Sequence, residues 1–84
     1  MDIRVGKITH YYDHIRVAVL VLTGELKVGE TIHIHGRITD FNQQVSSMEI
    51  EHQKIQSAGP GKDVALEVIE PVREGDIIFK HTED

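Results

Sequence analysis

Three observations predict an all-β fold. Apolar residues recur with period two, no stretch keeps a helical period, and turn residues interrupt the chain about every 8–12 residues. Together they describe a single small closed antiparallel barrel of six or seven strands, spanning residues 1–84 as one free-standing domain.

The first strand is expected from Ile3 to Tyr12, rich in β-branched and aromatic residues. Tyr12-Asp13-His14 then marks a hairpin turn. In the following strand Ile15, Val17, Val19 and Val21 share one face, and Ala18, Leu20 and Leu22 share the other. An apolar set on both faces reads as a strand covered on both sides, or as one shared between two curved layers. Two glycines five apart, Gly24 and Gly29, break the next segment. Leu26 and Val28 inside it are expected to tuck under the sheet.

Thr31–His35 alternates, with Ile32 and Ile34 inward and His33 and His35 outward. Residues 36–42 read as a turn or a short irregular stretch. A strand is expected from Gln44 to Glu51 and a weaker one from His52 to Ala58. Gly59-Pro60-Gly61-Lys62-Asp63 is the strongest turn signal. Val64, Leu66 and Val68 are expected to face the core. Pro71 ends that strand, because it has no N–H for a ladder. Arg73–Asp76 turns the chain into a last strand, Ile77–His81.

Gly29 and Gly75 each precede an acidic residue, Glu30 or Asp76, and then a strand. Such turns call for positive φ, which glycine adopts without a Cβ penalty. Glu30, longer than an aspartate, is expected to cap its turn less well than Asp76.

Composition narrows the function. Fourteen acidic residues against nine basic ones give a formal charge of −5. This disfavours binding to a phosphate backbone, which rests on Lys and Arg. Cysteine is absent, which excludes disulfides, thiolate zinc sites and a thiol nucleophile. The longest apolar run, Val17–Leu22, is far too short for a helical membrane span. The N-terminus has no signal-peptide core, which points to a cytoplasmic location.

Five segments carry a resemblance. Leu26-Lys27-Val28-Gly29-Glu30-Thr31-Ile32 resembles the glycine-acid turn and strand of the second, β-barrel domain of elongation factor Tu and other translation GTPases. Val45-Ser46-Ser47-Met48, Ala58–Leu66, Arg73–Ile78 and Val5-Gly6-Lys7-Ile8 are similar to later and earlier motifs of that domain. Similar barrels close the collagenase-like peptidases, which the Tyr11-Tyr12 hairpin and Val45–Glu51 resemble at least as well. The resemblance implies a barrel binding module without a GTPase domain. The phosphate-loop motif G-x-x-x-x-G-K-[ST] is missing, since Gln56 and Asp63 stand where it needs Gly and Ser or Thr. No GTP and no other cofactor is expected.

Candidate partner-binding loops are Tyr11, Tyr12, Asp13 and His14; Arg37 and Phe41 within 37–42; and Gly59, Pro60, Gly61 and Lys62. His33 and His35, at i and i+2, are a candidate imidazole metal pair, opposed by the plain reading of solvent-facing residues. The carboxylate pairs Glu49/Glu51, Asp63/Glu67 and Glu74/Asp76 show no apolar pocket that would raise one pKa for acid–base work. The expectation is a non-enzymatic binding or adaptor module with a protein partner. An RNA-contacting translation module and a histidine-based metal protein are the alternatives. The oligomeric state stays open.

Overall fold

The structure, a computed structural model, describes residues 2–82. It is all-β, with ten strands and no helix among the described residues. They are β1 (Asp2–Tyr12), β2 (Val17–Leu22), β3 (Leu26–Lys27), β4 (Thr31–His35), β5 (Asp40–Gln44), β6 (Met48–Ile50), β7 (Gln53–Ile55), β8 (Ser57–Ala58), β9 (Asp63–Glu67) and β10 (Ile77–His81). Eight form one antiparallel sheet in the order β5-β4-β10-β1-β2-β9-β6-β7, and β3 pairs with β8 in a ribbon.

The closed barrel of six or seven strands is corrected in two respects. The strands are more numerous, because several are only two or three residues long. The sheet is also not closed by a strand ladder: β5 and β7 end it. It nonetheless curls, and one glutamine shows how. Gln43 of β5 is 7% exposed. Its side-chain amide donates to the Glu67 carbonyl at 2.8 Å, and its Oε1 accepts from the Ile69 N–H at 2.9 Å. An amide with one donor and one acceptor so engaged imitates a peptide group, and it bridges β5 to the end of β9. Val45 continues the β4–β5 ladder beyond Thr31–Gln44, with its N–H on the Glu30 carbonyl and its carbonyl on the Gly29 N–H. Because β6 pairs with β9 through Met48–Leu66 and Glu49–Ala65, β5 and β6 lie end to end along the free side of β9.

Residues 36–42, expected as irregular, contain most of β5. Its five pairs with β4 run from Thr31–Gln44 to His35–Asp40. Only Phe41 is apolar on its inward face, and Gln43 takes the other inward position, so the hydrophobic signal is halved. Likewise the expected strand over 44–51 is split: Val45-Ser46-Ser47 is a link, with Val45 buried in the core.

One apolar cluster fills the interior, including Ile8, Leu20, Leu22, Leu26, Ile32, Ile34, Met48, Val64, Leu66 and Ile78, all at most 2% exposed. The inward alternation of β4 and β9 is as expected from the sequence. β1 breaks alternation because it is bulged twice, between Arg4 and Gly6 and between Ile8 and His10. Each bulge admits one extra residue and bends the strand, so β1 pairs β10 with its first half and β2 with its second. Val5 and Gly6 are consecutively buried, while Ile3 stays 44% exposed.

The two glycine-acid turns are built alike. Gly29 has φ +97° and Gly75 has φ +93°. Asp76 N–H donates to the Arg73 carbonyl, and the Asp76 carboxylate accepts from Arg73 N–H at 2.9 Å. Glu30 N–H donates to the Lys27 carbonyl, and the Glu30 carboxylate accepts from Lys27 N–H at 2.7 Å. The longer glutamate therefore caps as the aspartate does, contrary to expectation. Its second oxygen also meets Lys80 Nζ at 3.3 Å. Asp76 in turn packs onto Gly36, where an added Cβ would stand 1.9 Å from Asp76 Oδ1.

Two outcomes follow. Gln43→Ala removes two part-buried hydrogen bonds, to the Glu67 carbonyl and from the Ile69 N–H, at about 0.5–1.5 kcal/mol each, and urea denaturation reads a loss of about 1–3 kcal/mol. Gly36→Ala is expected to lower the thermal midpoint sharply, and Gly36→Ala with Asp76→Ala to recover part of that loss, since the clash needs both groups.

Candidate functional site

The outer face of β2 is the origin of the site. Ala18, Leu20 and Leu22 are buried inside, but Val17, Val19 and Val21 are half-buried on the outside. No described element lies over them. Strand register lays two rows across this face. One runs Glu49–Ala65–Val19–His10, and the next runs Glu67–Val17–Tyr12. Ala65 is the small residue at the centre, between Glu49 and Val19, so the surface dips there.

The dip continues in both directions as a groove. One end, about 380 Å³, is lined by Tyr12, Ile15, Val17, Ser47 and Glu67 around the shared floor. The other, about 450 Å³, is lined by Glu51, Gly61, Lys62, Asp63 and Val64. Val19, Glu49, His52 and Ala65 belong to both. Tyr12 and Ile15, 48% and 64% exposed, form an apolar wall on the β1–β2 hairpin. The His10 ring packs on Tyr12, centroids 4.5 Å apart, and steadies that wall.

The flank of the groove is a strained turn. Ile50 pairs with Gln53, so Glu51 and His52 are the two central residues of a tight hairpin. Their φ values are +49° and +66°. Such turns favour Asn-Gly because other side chains resist positive φ. Here a carboxylate and an imidazole occupy both strained positions and face the groove. Positive φ at both positions is what a two-residue hairpin of this kind requires, and non-glycine residues take it at some cost.

The other outer face, across β5, β4, β10 and β1, carries a polar depression of about 520 Å³. The Nε2–H of His33 donates to Asp40 Oδ1. His81 Nδ1 lies 3.0 Å from Asp2 Oδ1. The hydrogen bond from His33 lowers the Asp40 carboxyl from the ordinary aspartate value; desolvation opposes it, and the nearby His33 and His35 add smaller lowering effects. His33 and His35 are neighbours, centroids 5.8 Å apart. Among the described residues, no group of three or more His, Asp or Glu side chains is arranged to hold a metal. His33 is engaged by a carboxylate on the next strand.

The candidate loop residues divide. Tyr12, Gly61 and Lys62 line the groove. Tyr11 packs against the core. Asp13 and His14 pair with each other on the exposed hairpin tip at 3.7 Å. Arg37 sits on the exposed β4–β5 turn, and Gly59 and Pro60 lie outside the groove. Phe41 is corrected: at 8% exposed it is a core residue, because β5 turns it inward. His52, Ala65 and Val19 were not among the candidates, and Glu49 and Glu51 are read from the sequence only as a carboxylate pair on an exposed strand face. The doubly apolar pattern of β2 was their one signal.

Fold and groove together define a small all-β domain with one apolar outer face uncovered. No family model matches the chain. Over 78 residues it is 35% identical to an uncharacterized protease of Methanocaldococcus jannaschii, an alignment covering 92% of this chain and 19% of that protein. The chain thus spans about a fifth of the curated relative it matches. Its fold is similar to the C-terminal domain of a candidate U32 peptidase from Geobacillus thermoleovorans. That crystal structure superposes with a TM-score of 0.87 at 18% identity, covering 93% of this chain and 91% of that one. The selenomethionine variant gives 0.86 at 18% identity, over 90% and 96%. These likenesses support the resemblance to the C-terminal barrel of collagenase-like peptidases. The translation-factor resemblance stands on its sequence motifs alone.

Two measurements check this geometry. In an NMR titration the Asp40 carboxyl is expected to titrate below the free-aspartate range, and His33→Ala to return it there. A depressed folded pKa adds stability that is complete above about pH 5, a unit over the unfolded value, and is lost as pH falls through the folded value. Replacing Glu51-His52 with Asn-Gly is expected to raise stability by about 1–3 kcal/mol, read as a higher thermal midpoint, by removing strain at two positions.

Proposed function

We propose that this chain is a non-enzymatic accessory domain that docks on protein, of the kind found at the C-terminal end of U32-type peptidases. The uncovered apolar face of Val17, Val19 and Ala65 supports this reading most. An apolar strip framed by polar residues is the usual form of a contact surface. The carboxylates beside it are spread over strand and turn positions, and the one hydroxyl the groove sets on a carboxylate, Ser47 Oγ on Glu67 Oε1 at 3.2 Å, is solvent-exposed rather than held in a closed pocket. The RNA-contacting alternative finds little support in a chain of charge −5.

Affinity co-purification from native extract tests the reading, with wild type and Val19→Arg run side by side. A protein retained by wild type and lost with Val19→Arg, in nuclease-treated extract, is the expected result. Nuclease-sensitive retention, unaffected by Val19→Arg, would instead favour the RNA-contacting module.

A further inference from the structure

The groove has two chemically different ends, and this polarity specifies an occupant. Its floor follows β9 from Asp63 to Glu67, five residues, about 13–17 Å of strand. That length matches an extended segment of about five residues lying along the strands. At one end Tyr12, Ile15 and Val17 offer apolar contact. From the centre to the other end stand Glu49, Glu51 and Asp63, against Lys62 in the lining and Lys54 across the ladder from Glu49, so carboxylates outnumber fixed cations there. Glu67 adds a further carboxylate at the apolar end, where Ser47 Oγ donates to its Oε1 at 3.2 Å. The surface therefore pairs a hydrophobic seat with a negative field.

We propose that the groove binds an extended protein segment carrying an aromatic or aliphatic side chain a few residues from a Lys or Arg. The apolar side chain sits against Tyr12, Ile15 and Val17. The cation lies between Glu49 and Glu51, and the Ala65 dip admits the backbone between them. The positive φ values of Glu51 and His52 have a use in this arrangement, because they hold the Glu51 carboxylate at the lip. This proposal rests on the docking reading above and adds the chemistry of the partner. An acidic segment would meet like charge along most of the rim, which costs affinity and slows encounter.

A random heptapeptide library displayed on phage, panned against the full chain, tests it. Val19→Arg and Ala65→Trp serve as two blocked controls, both checked for the wild-type circular dichroism spectrum. The expected selection is rich in Lys or Arg spaced two to four residues from an aromatic or aliphatic residue, and both controls lose it. A selected peptide, made synthetically, should bind at least about fivefold more weakly to Glu49→Gln/Glu51→Gln, and more weakly as salt rises from about 50 to about 500 mM. Selection of acidic or uncharged sequences, or no selection sensitive to the two controls, overturns the proposal. So does a dimer in sedimentation equilibrium that Val19→Arg dissociates, because the face would then hold a second copy. If co-purification still depends on Val19 while the peptides show no basic preference, the partner chemistry fails and docking survives. If neither depends on Val19, both fail.

Discussion

The side-chain amide of Gln43 is the constraint on which the rest of the structure depends. An eight-stranded sheet of this size has too little interior to leave either of its faces uncovered on both sides of a core. Curling lets one face bury itself, but it brings two strand edges together without a ladder to join them. Gln43 satisfies a carbonyl and an N–H across that gap, where a backbone strand would otherwise be needed. A buried amide with both functions engaged costs little, whereas an unpaired one in the same place costs several times more. The Val45 bonds to Gly29 and Glu30 then hold the chain beyond Gln43 to the start of β4 as it passes toward β6.

Curling decides the outer surface as well. The inner face of β2 goes to the core, and its outer valines stay at the surface because none of the described elements covers them. The short β6–β7 hairpin reaches past the seam and puts Glu51 and His52 beside Ala65. The groove is thus a product of the curl: the same β5–β6 path that runs along β9 supplies one flank of the face left open. On the opposite side, His33 with Asp40 and His81 with Asp2 tie neighbouring strands together. Their histidines belong to the sheet's own cohesion.

Much of the fold was legible in the residues. Ile32/Ile34 and Val64/Leu66 alternate cleanly because each side chain has one neighbour in the core and one in water. Gly29 and Gly75 announce their turns because only glycine takes that φ without penalty. β5 was hidden, since half of its inward face is a glutamine whose partners lie 24 and 26 residues away. The β6–β7 hairpin was hidden because Glu51-His52 contradicts the usual turn chemistry. The bulges of β1 were hidden because an extra residue in a strand leaves the composition unchanged. For the groove, the apolar outer face of β2 was visible in the sequence as a face needing cover. Its acidic flank was not, since Glu49, Ala65 and Val19 meet only through non-local pairing.

Native-state hydrogen exchange at the Ile69 amide tests the central claim most directly. Ile69 itself is 61% exposed and lies two residues beyond the end of β9, and its amide donates to Gln43 Oε1, so slow exchange there reports that bond. The account predicts protection of the Ile69 amide close to that of Leu20 and Val64, with opening only on global unfolding. Exchange at the rate of a frayed strand end, while Leu20 and Val64 stay protected, would contradict it.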